Sequence, residues 1–116
     1  GRQLGYPTAN IGFHDQVALP PNGIYAVRLS WGGESPLRPA ERALGVASLG
    51  VRPTFGGGRQ TLEAFLFDFD ADLYGERMRL EFVRRQRGEK RFSSVEALIE
   101  QMGRDAHRAR AILAGR

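Results

Sequence analysis

The first ten residues, Gly1-Arg2-Gln3-Leu4-Gly5-Tyr6-Pro7-Thr8-Ala9-Asn10, combine backbone-permissive glycines, a φ-locking proline and two short oxygen-bearing side chains. Gly1 and Gly5 let the backbone bend until its N–H groups converge on one point, and Pro7 sets the direction in which the chain leaves the turn. Thr8 and Asn10, two apart on an extended segment, put a hydroxyl and an amide oxygen on one face. Neutral oxygens so placed suit a hard cation such as Mg²⁺, which keeps water and substrate phosphates as its other ligands. The stretch therefore reads as a phosphate and metal site. Its bland alternative is a Gly/Pro turn entering a strand.

A second position calls for explanation. Residues 61–69 alternate as a strand, with Leu62, Ala64 and Leu66 on one face and Thr61, Glu63, Phe65 and Phe67 on the other. Glu63 is a lone carboxylate in an apolar run, and a charge there costs free energy unless it is paired or reaches a polar cavity. The alternative is an exposed glutamate on the face of a barrel.

Other chemistries find less support. With no cysteine there is neither a disulfide framework nor a thiolate metal site. His14 and His107 lack metal-ligand or triad partners. Asp68, Asp70 and Asp72 begin like a calcium loop, but Leu73 stands where glycine is needed and Arg79 where the bidentate glutamate belongs. Gly56-Gly57-Gly58 makes a mobile turn without the strand-to-helix context of a nucleotide fingerprint, and no Walker A sequence is present.

The elements that must position these residues fit one domain of 116 residues, with no repeat and no linker. No apolar run reaches membrane-span length and no signal peptide opens the chain, so a soluble, cytoplasmic protein is expected. A net charge of +4 suits anionic partners, whether nucleic acid or a small phosphorylated ligand. Strands are expected at 24–31, where Tyr25, Val27, Leu29 and Trp31 alternate as in a half-buried antiparallel strand, and at 44–49, 61–69 and 78–84. Residues 32–41, broken by Pro36 and Pro39, form a loop. Ser93 and Glu96 read as a capping box. Val95, Leu98, Ile99, Met102, Ala106, Ala109 and Leu113 follow as the apolar stripe of a long helix, with Glu96, Glu100 and Asp105 on its polar face.

Five ordered blocks, GRxLGxPTAN, PPNGIYAV, GVASLGVRPTF, LEAFLFDFDADLYG and RGEKRFSSVEALIEQMGRD, resemble the riboflavin kinase domain, found alone or as the C-terminal half of bifunctional bacterial FAD synthetases. The resemblance spans nearly the whole chain. It implies a mainly β fold, a six-stranded antiparallel Greek-key barrel with a C-terminal helix, and transfer of the ATP γ-phosphoryl to the ribityl 5′-hydroxyl of riboflavin, making FMN. On that resemblance Thr8 and Asn10 hold Mg²⁺ with the ATP phosphates, Gly1, Gly5 and Pro7 shape the same phosphate-binding segment, and Glu63 is the catalytic base. Arg87, Glu89 and Phe92 match a loop that closes over the flavin, and residues 50–55 a loop near the nucleotide. Phe65 departs from the histidine that many members carry there. The family also has a first strand and part of a glycine-rich flap ahead of the position of Gly1, so the sequence reads as a fragment, with an adenylyltransferase domain as a possible N-terminal neighbour. The alternatives are a basic barrel binding single-stranded nucleic acid through Arg84, Arg85, Arg87 and Arg91, and a flavin-binding domain of the same fold without turnover.

Overall fold

A computed structural model describes residues 8–13, 18–54, 56–68, 75 and 77–115. Its elements are β1 (Thr8–Ile11), β2 (Gly23–Trp31), β3 (Glu41–Thr54), β4 (Gly57–Leu66), β5 (Met78–Arg87) and α1 (Val95–Ala114). The strands form one antiparallel sheet in the order β1-β4-β3-β2-β5. Three hairpin-linked strands with β1 returning beside β4 make a Greek key, as expected. Five strands are seen among the described residues, where six were expected for the complete barrel.

The sheet has two packed faces. On one, Tyr25, Val27 and Leu29 of β2 meet Ala47, Leu49, Leu62, Ala64 and Leu66, joined by Ile11, Leu80 and Phe82. On the other, Ile24, Ala26, Val46 and Phe67 lie beneath Ala106, Ala109 and Leu113 of α1. The first half of β2 is thus buried on both faces, unlike the half-buried strand expected from its alternation. The helix covers the second face, and each large apolar side chain so buried contributes about 1.5–3 kcal/mol.

Several boundaries differ from expectation. β3 extends from Glu41 to Thr54, well beyond 44–49, because its glycines serve close packing rather than breaking the strand. A Cβ on Gly45 would run into the backbone carbonyl oxygen of Phe65 on β4, so only glycine lets these strands approach as they do. Residues 50–54 are accordingly paired strand, ending with Thr54 opposite Gly57, and Gly57 and Gly58 open β4 instead of forming a loop. At its other end β4 stops at Leu66, since Asp68 takes a left-handed φ of 51°. The segment 32–40 runs over the surface as expected, pinned by a Ser35–Arg38 bridge.

The helix is capped by Ser94, not Ser93: its side chain accepts from the Ala97 N–H at 3.1 Å. This displaces the expected Ser93–Glu96 capping box by one residue. The buried positions are Gln101, Met102, Asp105, Ala106, Ala109 and Leu113. Val95 and Ile99 continue the stripe in sequence but are 59% and 40% exposed. Packing against the sheet begins at Ala106, and ahead of it the helix borders a cavity through Leu98 and Met102. Asp105, expected on the polar face, is 6% exposed. Among the described residues no helix is long and apolar enough to cross a membrane.

Candidate active site

Strand register places Asn10 of β1 opposite Glu63 of β4, Glu63 opposite Ser48 of β3, and Ser48 opposite Ile24 of β2. Cross-strand partners share a face, so this row lies on the helix-covered side of the sheet. Between that face and α1 is a largely apolar cavity of about 270 Å³. Its floor is Ile24, Val46, Ser48, Glu63, Phe65 and Phe67. Leu98, Met102, Asp105 and Ala106 wall it from the helix, and Arg87, Glu89, Lys90 and Phe92 from the end of β5 and the connection that follows. A second, more polar and open depression of about 900 Å³ lies beside β1, lined by Asn10, Ile11, Phe13, Arg59, Thr61 and again Glu63. Glu63, half-buried, borders both spaces.

One end of the cavity is held by a buried polar network. Arg87 donates to Asp105 at two points, Nε to Oδ1 at 2.9 Å and Nη2 to Oδ2 at 2.6 Å, and its Nη1 donates to the Gly88 carbonyl at 2.9 Å. Gln101 Nε2 adds a bond to Asp105 Oδ1 at 3.0 Å. Gln86 Nε2 reaches the Asp105 carbonyl oxygen at 3.1 Å, and Arg108 reaches the Gln86 carbonyl at 3.1 Å. The two-point guanidinium–carboxylate geometry is the strong form of the interaction, and the side chains of its partners are only 22% and 8% exposed. Beyond Arg87, the Lys90 ammonium stands 6.0 Å from the centre of the Phe92 ring.

Of the site residues expected from sequence, Glu63, Arg87, Glu89 and Phe92 line one cavity, and Asn10 faces Glu63 across the sheet. Thr8 occupies the β1 position opposite Phe65. Gly1, Gly5 and Pro7 lie outside the described residues. Ser48, Lys90, Met102 and Asp105 were not anticipated. Ser48 becomes visible once β3 is paired with β4, which needs the register. Asp105 carried a fainter signal, since Gln101 and Asp105 are four apart and flank the apolar stripe at helical spacing. The basic run is only partly available to outside ligands: Arg85 donates to the Asn22 carbonyl at 2.9 Å and Arg87 is held by Asp105.

The neutral amide oxygen of Asn10 suits a hard cation. Among the described residues no three His, Cys, Asp or Glu side chains gather as a self-sufficient metal cage. That donor set matches an ion that takes one or two protein oxygens and the rest from phosphates and water.

Comparison with known proteins bears on the same reading. The family model described as riboflavin kinase matches residues 1–113. The bifunctional riboflavin kinase/FMN adenylyltransferase of Escherichia coli (strain K12) is 43% identical over 110 residues, a match covering 95% of this chain and 33% of that protein. The protein of the same name from Bacillus subtilis (strain 168) is 36% identical over 112 residues, covering 94% and 33%. Among solved structures, a macrolide-efflux protein from Streptococcus pneumoniae superposes with a TM-score of 0.80 at 33% identity, covering 95% of this chain and 34% of that one. The chain thus spans about a third of the length of these relatives. With the family model matched over nearly every residue, the chain belongs to the riboflavin kinase family.

Proposed function

We propose that this domain phosphorylates riboflavin, with the isoalloxazine in the apolar cavity beneath α1, the ATP phosphates beside β1, and Glu63 between them. The observation that carries this is the place of Glu63: one carboxylate borders an apolar cavity and a polar depression, with Asn10 directly opposite. A flat aromatic ring suits the former, whose Phe65, Phe67 and Phe92 offer faces and edges for stacking. Triphosphate and metal suit the latter, which Asn10 lines and to which Arg59 adds positive charge; Thr8, two residues before Asn10 on β1, would be the second protein ligand to Mg²⁺. Mg²⁺, when bound, neutralises charge on the transferring phosphoryl group.

The chain's own part is to orient and deprotonate. The ribityl 5′-hydroxyl oxygen attacks the γ-phosphorus, the bond from phosphorus to the bridging oxygen breaks, ADP departs, and the hydroxyl proton passes to the Glu63 carboxylate. A half-buried glutamate at the edge of an apolar space is poised for that step. The adenylyltransferase activity in the relatives' name is not part of this proposal, since the chain matches a third of their length.

Titration with riboflavin, ADP–Mg²⁺ and a single-stranded oligonucleotide, followed by an assay for FMN, tests the reading. Riboflavin binding with FMN formation is expected. Binding without turnover would favour a non-catalytic flavin domain, and tight oligonucleotide binding alone would favour the nucleic-acid barrel.

A further inference from the structure

We propose that Gly50 is a positioning residue: by carrying no side chain it seats the Glu89 carboxylate against β3, and so sets how the cavity grips the flavin. The proposal rests on the kinase reading above. Gly50 pairs with Thr61, two positions along β3 from the Ser48–Glu63 pair and therefore on the same face. A Cβ built on Gly50 would overlap Glu89 Oε1 and stand 2.9 Å from Glu89 Cδ, and its three nearest neighbours all belong to that one carboxylate. Gly50 is buried, although it is covered by a residue that is itself exposed. Glu89 thus lies across the floor strand as a strut.

The strut is anchored at its base. Arg87 is clamped to Asp105 of α1 and donates to the Gly88 carbonyl, so the backbone immediately before Glu89 is tied to the helix. From there the Glu89 side chain spans to β3 and closes one end of the cavity that Glu63 borders. A carboxylate is an acceptor with several lone pairs, and at the edge of an apolar space it takes O–H or N–H donors, which the hydroxylated chain and the imide of a flavin supply.

Gly45 and Gly50 are glycine for different reasons. A side chain at Gly45 meets a backbone carbonyl of the neighbouring strand, which cannot move cheaply. A side chain at Gly50 meets the far end of a flexible glutamate, which can swing away. Gly50 is not among the glycines with positive φ, so its backbone accepts alanine. The fold therefore does not require this glycine, whereas the position of Glu89 does.

The test is a double-mutant cycle on the natural full chain, reading the riboflavin dissociation constant by flavin fluorescence and the denaturation midpoint. Gly50→Ala is expected to leave the midpoint unchanged and weaken riboflavin binding about ten-fold, the scale of one hydrogen bond to a charged group. Glu89→Ala is expected to weaken it similarly. The double variant should be no weaker than Glu89→Ala alone, because removing the glutamate makes room for the new methyl group. Binding by Gly50→Ala within two-fold of wild type overturns the proposal, as does a double variant whose losses multiply. A fall in midpoint matching that of Gly45→Ala would make Gly50 a fold residue and overturn it too. If wild-type protein binds no riboflavin, the kinase reading itself fails and this proposal falls with it.

Discussion

Asn10 and Glu63 stand directly opposite each other on β1 and β4, so the amide assigned to the metal and the carboxylate assigned to the proton share one register position. An ion held at Asn10 would lie next to the phosphoryl group that Glu63 prepares the hydroxyl to attack. Asn10→Ala should therefore lower affinity for ATP roughly ten-fold when Mg²⁺ is present, through loss of one oxygen contact to a charged group. Little change is expected without the metal, and riboflavin affinity should hold. Nucleotide titrations with and without Mg²⁺ check this, and equal affinities for wild type and variant in Mg²⁺ would remove Asn10 from the metal site.

The Arg87–Asp105 pair should matter for stability and for the flavin. Asp105→Ala leaves a largely buried guanidinium without its carboxylate and is expected to cost about 3 kcal/mol, the lower end of the range for breaking a buried pair because Arg87 keeps some access to water. Replacing both partners, as in Arg87→Met/Asp105→Leu, should recover most of that loss, since apolar groups of similar size often substitute for a buried pair. Riboflavin affinity should stay low in the double variant, because the connection through Gly88 to Glu89 has lost its anchor. Denaturant unfolding and flavin titration on the same samples separate the two effects.

Helix α1 gives a test of packing. Leu113→Ala is expected to cost about 2–5 kcal/mol, as for a buried aliphatic residue, while Ile99→Ala should cost less than about 1 kcal/mol because its side chain is partly in solvent. Ser94→Ala should cost about 1 kcal/mol through loss of the cap, and Ser93→Ala much less. Denaturant midpoints decide each case. Equal losses for Ser93→Ala and Ser94→Ala would contradict the capping geometry.

Sequence pattern carried some of this and not the rest, for physical reasons. The alternation around Glu63 was legible because a period of two separates Leu62, Ala64 and Leu66 from Glu63 and Phe65 without any tertiary information. The length of β3 was not, because Gly45, Gly50 and Pro53 look like breakers until the neighbours they accommodate are known: the Phe65 carbonyl, the Glu89 carboxylate and the hairpin end opposite Gly58. Ile99 was misplaced because periodicity reports which side of a helix is apolar and not where along its length the sheet begins. Asp105 was misplaced because a carboxylate in a helix reads as surface unless its partner, here Arg87 eighteen residues earlier, is brought beside it by the fold. The row of Asn10, Glu63 and Ser48 likewise needs the register of the β3–β4 hairpin and the pairing of β4 with β1, which lies far from it in sequence.

The central claim is that Glu63 takes the ribityl proton, and Glu63→Gln on the natural full chain tests it most directly. The amide keeps the shape and cannot accept the proton, so FMN formation should fall by about 10² to 10⁴, the contribution of a positioned general base. Dissociation constants for riboflavin and Mg²⁺–ATP should change far less, because the lost interaction strengthens in the transition state. A rate of FMN formation in Glu63→Gln equal to that of wild type, with both substrates bound normally, would contradict the account.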